Sequence, residues 1–309
     1  MSRMDHLQQE RLQKLQSWRA RGLDPYPYSF SRTHTTSEVR DCEPALAGRT
    51  LALAGRLMTL RGHGKTNFAH LQDAGGRLQL YARQDGLGAE RYEAWLLLEV
   101  GDLVGVRGEV FRTRTGELTL AVREFELLAK ALRPLPDKWH GLSDKEVRYR
   151  QRYVDLIVNP EVREVFVKRS RILSHIRGDL LGRGFLEVET PVLQPLYGGA
   201  SARPFVTQHH ALGVELYLRI APELYLKRLL VGGLDGVFEV ARNFRNEGMD
   251  RSHSPEFTML ELYVAYWDYE DMRRLTEEMV AGVVRSVCGA QQLRYGELDL
   301  DFTPPFARV

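Results

Sequence analysis

Cysteine is nearly missing from this chain. Cys42 and Cys288 are the only two in 309 residues. They stand far apart and neither has a CxxC partner, which argues against a disulfide framework or a zinc site and suits a reducing compartment. Long apolar runs are missing as well. None approaches the ~18 residues that a membrane span needs. The N-terminus is rich in Gln and Arg and lacks the apolar core of an export signal, so a cytoplasmic protein without membrane contact is expected. An excess of one charge is also lacking, since 43 Lys and Arg stand against 41 Asp and Glu for a net charge of +2. Any contact with nucleic acid must therefore come from local patches. There is no internal repeat and no low-complexity segment. What remains is an ordinary globular balance, 43% hydrophobic and 27% charged, in a chain long enough for two domains.

Two basic patches stand out: Arg11, Lys14, Arg19 and Arg21, and then Arg148, Arg150 and Arg152. Each could be an RNA contact or a solvated helix face. Residues 1–22 read as a polar helix ended by Gly22, and Pro25-Tyr26-Pro27-Tyr28 opens a linker. From about 50 to 128 the pattern is one of short strands, near 51–58, 67–72, 77–81, 103–110 and 117–122, with one helical stretch near 91–98. Five strands in so short a span predict a small closed barrel of OB type. Pro134 and Pro136 mark a second linker. Beyond it, apolar residues from Val162 to Leu180 recur at helical spacing over 161–181. Strands and helices then mix without βαβ regularity, which predicts an α+β domain with an antiparallel sheet.

The polar pattern from 237 to 263 carries the chemistry. Val237 to Asn246 reads as a strand with Phe238, Val240 and Phe244 on a packing face. The other face carries Glu239, Asn243 and Arg245, continued by Glu247. A solvent-facing strand would explain that alternation equally well. After a polar loop, a second strand runs from Glu256 to about Tyr266. Within it Glu261 lies among apolar neighbours, between Met259 and Tyr263. A carboxylate in so apolar a strand needs a partner, and either a structural Arg or a cationic ligand would serve. The two strands form a hairpin that brings Arg245, Glu247 and Glu261 to one surface.

Phe244-Arg245-Asn246-Glu247 followed by His253-Ser254-Pro255-Glu256-Phe257 resembles motif 2 of class II aminoacyl-tRNA synthetases. Gly184-Phe185-Leu186-Glu187-Val188-Glu189-Thr190-Pro191 resembles their motif 1. The segments from Gly198 to Phe205 and from Ala221 to Arg228 resemble the lysine-specific members. The resemblance runs from about residue 50 onward. It implies an N-terminal helix and linker over 1–49, an OB-fold anticodon-binding domain over 50–133 and a partial class II catalytic domain over 134–309.

The roles the resemblance implies are these. Arg245 is the catalytic residue and would hold the ATP α-phosphate and the lysine carboxylate, a task suited to a bidentate guanidinium. Glu247, His253 and Phe257 would contact ATP at the adenine end, the γ-phosphate and the adenine face respectively. Glu223, Glu261 and Tyr263 would face the lysine side chain, and Gly199 would leave room for the amino acid. Pro191 would lie at the interface of a homodimer. In the barrel, Phe68, Gln79 and Glu117 would read the central anticodon base of tRNA(Lys), with Phe68 as a stacking platform. Read without the family, Phe68 could equally plug the barrel interior, and Glu223 after Pro222 could be a first-turn acid favoured by the helix dipole.

The implied reaction activates L-lysine with ATP and Mg²⁺ to lysyl-adenylate, then transfers the lysyl group to tRNA. Aspartate- and asparagine-specific relatives carry a Gln-Ser-Pro-Gln type segment where Ala221-Pro222-Glu223-Leu224 stands here. Two acids, Glu223 and Glu261, suit an ammonium and repel a carboxylate. Ser254 departs from the Asn usual in lysine enzymes. The third family motif, a Gly-rich segment ending in Arg, is not found. The second ATP-binding Arg and the magnesium ligands are expected beyond Val309, with no metal ligand in this chain. A tRNA-binding module without catalysis and an aspartate- or asparagine-specific ligase are the alternatives.

Overall fold

The computed structural model describes residues 3–136 and 142–308. The chain divides into two compact units, Met1–Val158 and Asn159–Val309. No helix among the described residues is long and apolar enough to cross a membrane.

The first unit is built on α1 (Arg3–Ala20), α2 (Thr36–Asp41), α3 (Glu43–Leu46), β1 (Thr50–His63), β2 (Thr66–Asp73), β3 (Gly76–Arg83), α4 (Gln84–Leu87), α5 (Ala89–Trp95), β4 (Leu103–Arg112), β5 (Leu118–Ala129), α6 (Lys145–Arg150) and α7 (Arg152–Val158). The strands close into a barrel in the order β1-β2-β3-β5-β4, as the strand pattern predicts, with a parallel β3–β5 pairing sealing it. Alternation along each strand sends Ala69, Leu71, Leu78, Leu80, Val104, Val106 and Leu120 into the interior, where all are buried. Gly108 sits at a register shift between β4 and β5, where a Cβ would meet the Ala121 carbonyl oxygen at 1.9 Å. The bulge therefore needs glycine. Trp95 caps one side of the barrel, edge-on to Phe125 at 5.0 Å.

Several side chains of the basic patches are tied up in ion pairs and hydrogen bonds. Arg11 donates to the carbonyls of Ala131 and Val100. Arg11 and Lys14 pair with Glu99, and Arg21 pairs with Glu93. Next to them Lys130 meets Asp102 at 2.7 Å, both side chains almost fully buried. These ion pairs fasten α1 to the barrel. Arg148 and Arg152 likewise converge on the buried Asp155.

The second unit runs α8 (Pro160–Gly182), β6 (Leu186–Glu187), β7 (Leu193–Gln194), β8 (Val206–His209), β9 (Val214–Leu218), α9 (Glu223–Val231), β10 (Gly236–Phe244), β11 (Glu256–Val264), α10 (Tyr269–Cys288), β12 (Gln292–Tyr295) and β13 (Leu298–Asp301). The central element is the antiparallel β10–β11 hairpin, with β6 added in parallel to β10. One face of the hairpin, with Phe238, Val240, Leu260 and Leu262, packs with Leu180 of α8 and Leu275 of α10. The other face is the polar one. It is not a solvated strand face, because Glu239 is 4% exposed and Asn243 0%. β10 ends at Phe244, two residues earlier than the sequence pattern suggests, although Arg245 still donates its N–H to Pro255 O at 2.9 Å. β11 ends at Val264, and Tyr266 then turns with φ 66°.

Candidate active site and nucleic-acid face

The polar face of the hairpin is ordered by register. Glu239 stands opposite Glu261, Asn243 opposite Phe257, and Val237 opposite Tyr263. Two acids directly across a ladder repel each other. A third residue, not singled out from sequence, resolves the conflict. Arg219 follows β9, is 4% exposed, and reaches Glu239 Oε1 at 2.6 Å. It also donates to the Arg242 carbonyl at 2.9 Å and to both oxygens of Thr190 at 3.0 Å. Thr190 closes the ring by donating its hydroxyl to Glu239 Oε2 at 2.7 Å. Of the two partners the isolated carboxylate could take, a structural Arg therefore goes to Glu239 rather than to Glu261. The only sequence signal for Arg219 is a charge between the apolar Leu218 and Ile220.

Glu261 remains half-buried, with the Tyr263 hydroxyl donating to it at 3.1 Å. Burial holds its carboxyl above the usual carboxylate range, the Tyr263 hydrogen bond opposes this, and the charges of Glu223 and Glu239 add to it. The Tyr263 hydroxyl is raised too, by burial first and then by Glu261 and Glu223. Glu223 opens α9 directly after Pro222. Its charge bears on both Glu261 and Tyr263. Gly199 explains how it gets there. At φ 86° a Cβ on residue 199 would meet Glu223 Cβ at 2.7 Å and Ala221 Cβ at 3.0 Å. The space that glycine leaves is occupied by the acid itself.

At the other end of the same hairpin face the Arg245 guanidinium lies 5.0 Å from the centre of the Phe257 ring. Phe257 and Glu261 are four positions apart on β11, roughly 13 Å along a strand. Among the described residues, the buried Nε of Arg245 and Oδ1 of Asn243 have no hydrogen-bond partner, so this end holds hydrogen-bonding capacity that the chain itself does not use. Glu247 is exposed and accepts from the Arg203 N–H at 3.4 Å. His253 is exposed in the loop. Its Nδ1 meets Asp250 Oδ2 at 2.7 Å. Backbone N–H groups of Ser252 and His253 also donate to Asp250 and, with the His253 ring, hold its carboxyl down at about 2. Pro191 is exposed, and its carbonyl accepts from Gln194 at 3.0 Å. Among the described residues no group of three or more His, Cys, Asp or Glu is placed to hold a metal ion.

On the barrel, Phe68, Gln79 and Glu117 line one open groove of 620 Å³. Phe68 does not plug the interior. It is 37% exposed, while its neighbours Asn67 and Ala69 are buried. It stacks on Tyr81 across the ladder at 4.8 Å, and Tyr81 meets Phe111 at 6.0 Å. Gln79 reaches Glu117 Oε2 at 2.8 Å when its amide nitrogen faces the carboxylate, and then accepts from the Thr119 hydroxyl. His70 bridges Thr59, at 2.7 Å, and Glu117, at 3.2 Å. His70, Tyr81, Phe111, Arg61 and Arg114 line the groove without having been singled out from sequence. Tyr81 was legible in principle, being two residues from Gln79 on the same strand face.

An OB barrel followed by an antiparallel sheet whose hairpin carries arginine, phenylalanine and paired acids defines a class of protein. The chain belongs to the class II tRNA synthetases of the D, K and N group, whose sequence pattern matches residues 144–309. The pattern of the OB-fold nucleic acid binding domain matches residues 51–128. Among curated proteins the chain is 55% identical over 306 residues to the lysine–tRNA ligase of Syntrophomonas wolfei subsp. wolfei, covering 99% of this chain and 62% of that protein. It is 55% identical over 306 residues to that of Carboxydothermus hydrogenoformans, covering 99% and 63%. With that of Moorella thermoacetica it shares 56% over 299 residues, covering 97% and 61%. The chain thus spans about three fifths of the length of the curated relatives it matches.

Proposed function

We propose that this chain carries the amino-acid pocket, the first ATP contacts and the anticodon-reading barrel of a lysine–tRNA ligase. The observation that carries the proposal is the clustering of Glu223, Glu261 and Tyr263 on the face that also bears Arg245. A primary alkylammonium entering there gives Glu261 the cation it lacks. A carboxylate side chain would meet acids already in mutual repulsion, which disfavours aspartate as substrate, and asparagine offers no charge in exchange.

In the reaction the lysine carboxylate oxygen attacks the α-phosphorus of ATP, and pyrophosphate leaves with the electron pair of the broken P–O bond. The lysyl-adenylate is then attacked by a hydroxyl of the terminal tRNA ribose, which takes the lysyl group and releases AMP. Arg245 clamps the lysine carboxylate and the α-phosphate together, so the work is positioning and charge neutralisation. Phe257 offers a ring for adenine, Glu247 a carboxylate for its amino group, and His253 Nε2 a contact to the γ-phosphate. Magnesium would neutralise phosphate charge. We assign residues 50–133 to anticodon reading, with Phe68, Gln79 and Glu117 at the base, and 134–309 to catalysis. Pro191 we place at the interface of a homodimer, beside the exposed Leu186, Val192 and Leu193. The exposed, unpaired Cys42 and Cys288 suit the cytoplasm.

The test is amino-acid-dependent ATP–pyrophosphate exchange by the full-length protein. Lysine supports exchange, and Glu261→Gln raises the KM for lysine by roughly 30-fold or more, as loss of a desolvated charge partner does. Exchange with aspartate or asparagine in place of lysine overturns the assignment. Tight tRNA(Lys) binding without exchange would mark a binding module instead.

A further inference from the structure

Lys227 is not part of the pocket as drawn so far. It lies one turn along α9 from Glu223, and its Nζ is 2.6 Å from Glu223 Oε1. An i, i+4 pair of this kind is ordinary on a helix surface. Two further features set this one apart. The same Nζ stands 5.8 Å from the centre of the Tyr263 ring, which belongs to β11 and not to α9. The ammonium therefore leans over the hairpin rather than away from it, at a distance where a cation is attracted to a ring face. Glu223, in turn, faces inward, with its charge bearing on Glu261 and its Cβ seated where Gly199 leaves room. The chain thus places one of its own primary alkylammonium groups on two of the three side chains assigned to the ammonium of the substrate.

We propose that Lys227 is a built-in counter-ion of the amino-acid pocket: it holds Glu223 and the Tyr263 ring while the pocket is empty, and an incoming alkylammonium displaces it. The proposal rests on the reading of Glu223 and Glu261 as the ammonium site. Lys227 can serve as an exchangeable partner because its side chain is 57% exposed on a flexible stem and can turn out to water. Arg219 cannot, being buried and tied by four hydrogen bonds. The device sets affinity and sharpens selection. A neutral side chain has nothing to offer Glu223 in exchange for Lys227, so it meets a pocket already closed by an ion pair. A cationic side chain replaces one ammonium with another and gains Glu261 as well.

The experiment uses the full-length protein with L-lysine as the probe, comparing wild type with Lys227→Met, Lys227→Gln, Glu223→Gln, Glu261→Gln and Glu223→Gln/Lys227→Met. Affinity is read by calorimetry and by the KM for lysine in pyrophosphate exchange. Both Lys227 variants bind lysine about two- to five-fold more tightly, the range set by a partly exposed ion pair. The gain disappears in the Glu223→Gln background, where no charge is left to compete for. Unchanged or weaker lysine binding in both Lys227 variants, with Glu223→Gln still harmful, overturns the counter-ion role and leaves the pocket standing. Lysine affinity indifferent to both Glu223→Gln and Glu261→Gln overturns the pocket and the proposal with it.

Discussion

Replacing Arg219 by Met tests how the hairpin tolerates facing acids. The side chain is 4% exposed, and its carboxylate partner Glu239 is 6% exposed. Met fills much of the stem volume but removes four hydrogen bonds, to Glu239, to the Arg242 carbonyl and to both Thr190 oxygens. Glu239 would then keep only the Thr190 hydroxyl and N–H, too little for a buried charge. Stranding one member of a buried pair typically costs ~3–5 kcal/mol, a large share of the ~5–15 kcal/mol that holds a domain. Urea unfolding, followed by circular dichroism and by Trp267, measures the loss. The double variant Arg219→Met/Glu239→Gln should recover at least half of it, since no bare charge remains. The effect also reaches the pocket. Arg219 is the cation that draws the Glu261 carboxyl down, and Glu239 is one of the acids that push it up. In Arg219→Met the pH at which lysine binding sets in should move upward. A loss below about 1 kcal/mol, or strict additivity of the two substitutions, would refute this account of Arg219.

Three shorter predictions concern the remaining elements. Phe68→Ala should weaken binding of the tRNA(Lys) anticodon stem-loop by ~1–3 kcal/mol in fluorescence anisotropy while barely moving the melting of the barrel, because Phe68 lies on the outer surface; unaltered affinity would remove it from the base-reading face. Gly199→Ala should raise the KM for lysine roughly ten-fold and leave that for ATP nearly unchanged, since a left-handed alanine costs ~1–2 kcal/mol and its Cβ must push Glu223 aside. The third concerns pH. Folding raises the Glu261 carboxyl, so the stability linked to its proton is present below the unfolded value of 4.5 and lost as pH rises through the folded value. Glu261→Gln should therefore be more stable than the wild type at neutral pH, with the difference vanishing in acid. Melting curves across pH check this, and a difference that grows toward acid contradicts it.

Much of the fold was legible because local patterns sufficed. Alternation located the five barrel strands, although β1 and β5 run five and seven residues past their expected ends, at His63 and Ala129, and helical spacing found α8. The hairpin was legible too, including which of its faces packs, though not that it packs against α8 and α10. What the pattern could not decide was whether the polar face met water or protein. That depended on Arg219, just past the end of β9, whose role is set by tertiary contact and not by spacing. The basic patches were ambiguous for the same reason. Arg11, Lys14 and Arg148 look like a nucleic-acid footprint in sequence, and their partners show them to be fasteners: Glu99, far along the chain, for the first two and the buried Asp155, seven residues on, for Arg148. In the barrel, Phe68 and Gln79 were found by resemblance, whereas Phe111 needed the closure of β4 onto β5 to bring it to the Tyr81 ring.

The proposed pocket carries three acids, and what distinguishes them is the cation each is given. Glu239 has a buried guanidinium that cannot leave. Glu223 has an ammonium on a flexible arm that can. Glu261 has, among the described residues, a hydrogen bond from the Tyr263 hydroxyl and no ion pair, and burial holds its carboxyl above the usual range. A surface with three free acids would bind any cation weakly and fold badly, because like charges held apart from water repel. A surface with three fixed pairs would bind none. On the proposed reading, the graded arrangement lets an ammonium meet Glu261 and take over Glu223 from Lys227. Both lie on the face whose far end is Arg245. A ligand with an ammonium and a carboxylate at opposite ends of one flexible chain, as proposed for lysine, would meet both acids and Arg245. This follows from where the charges are anchored, and it would hold for any sequence that placed them so.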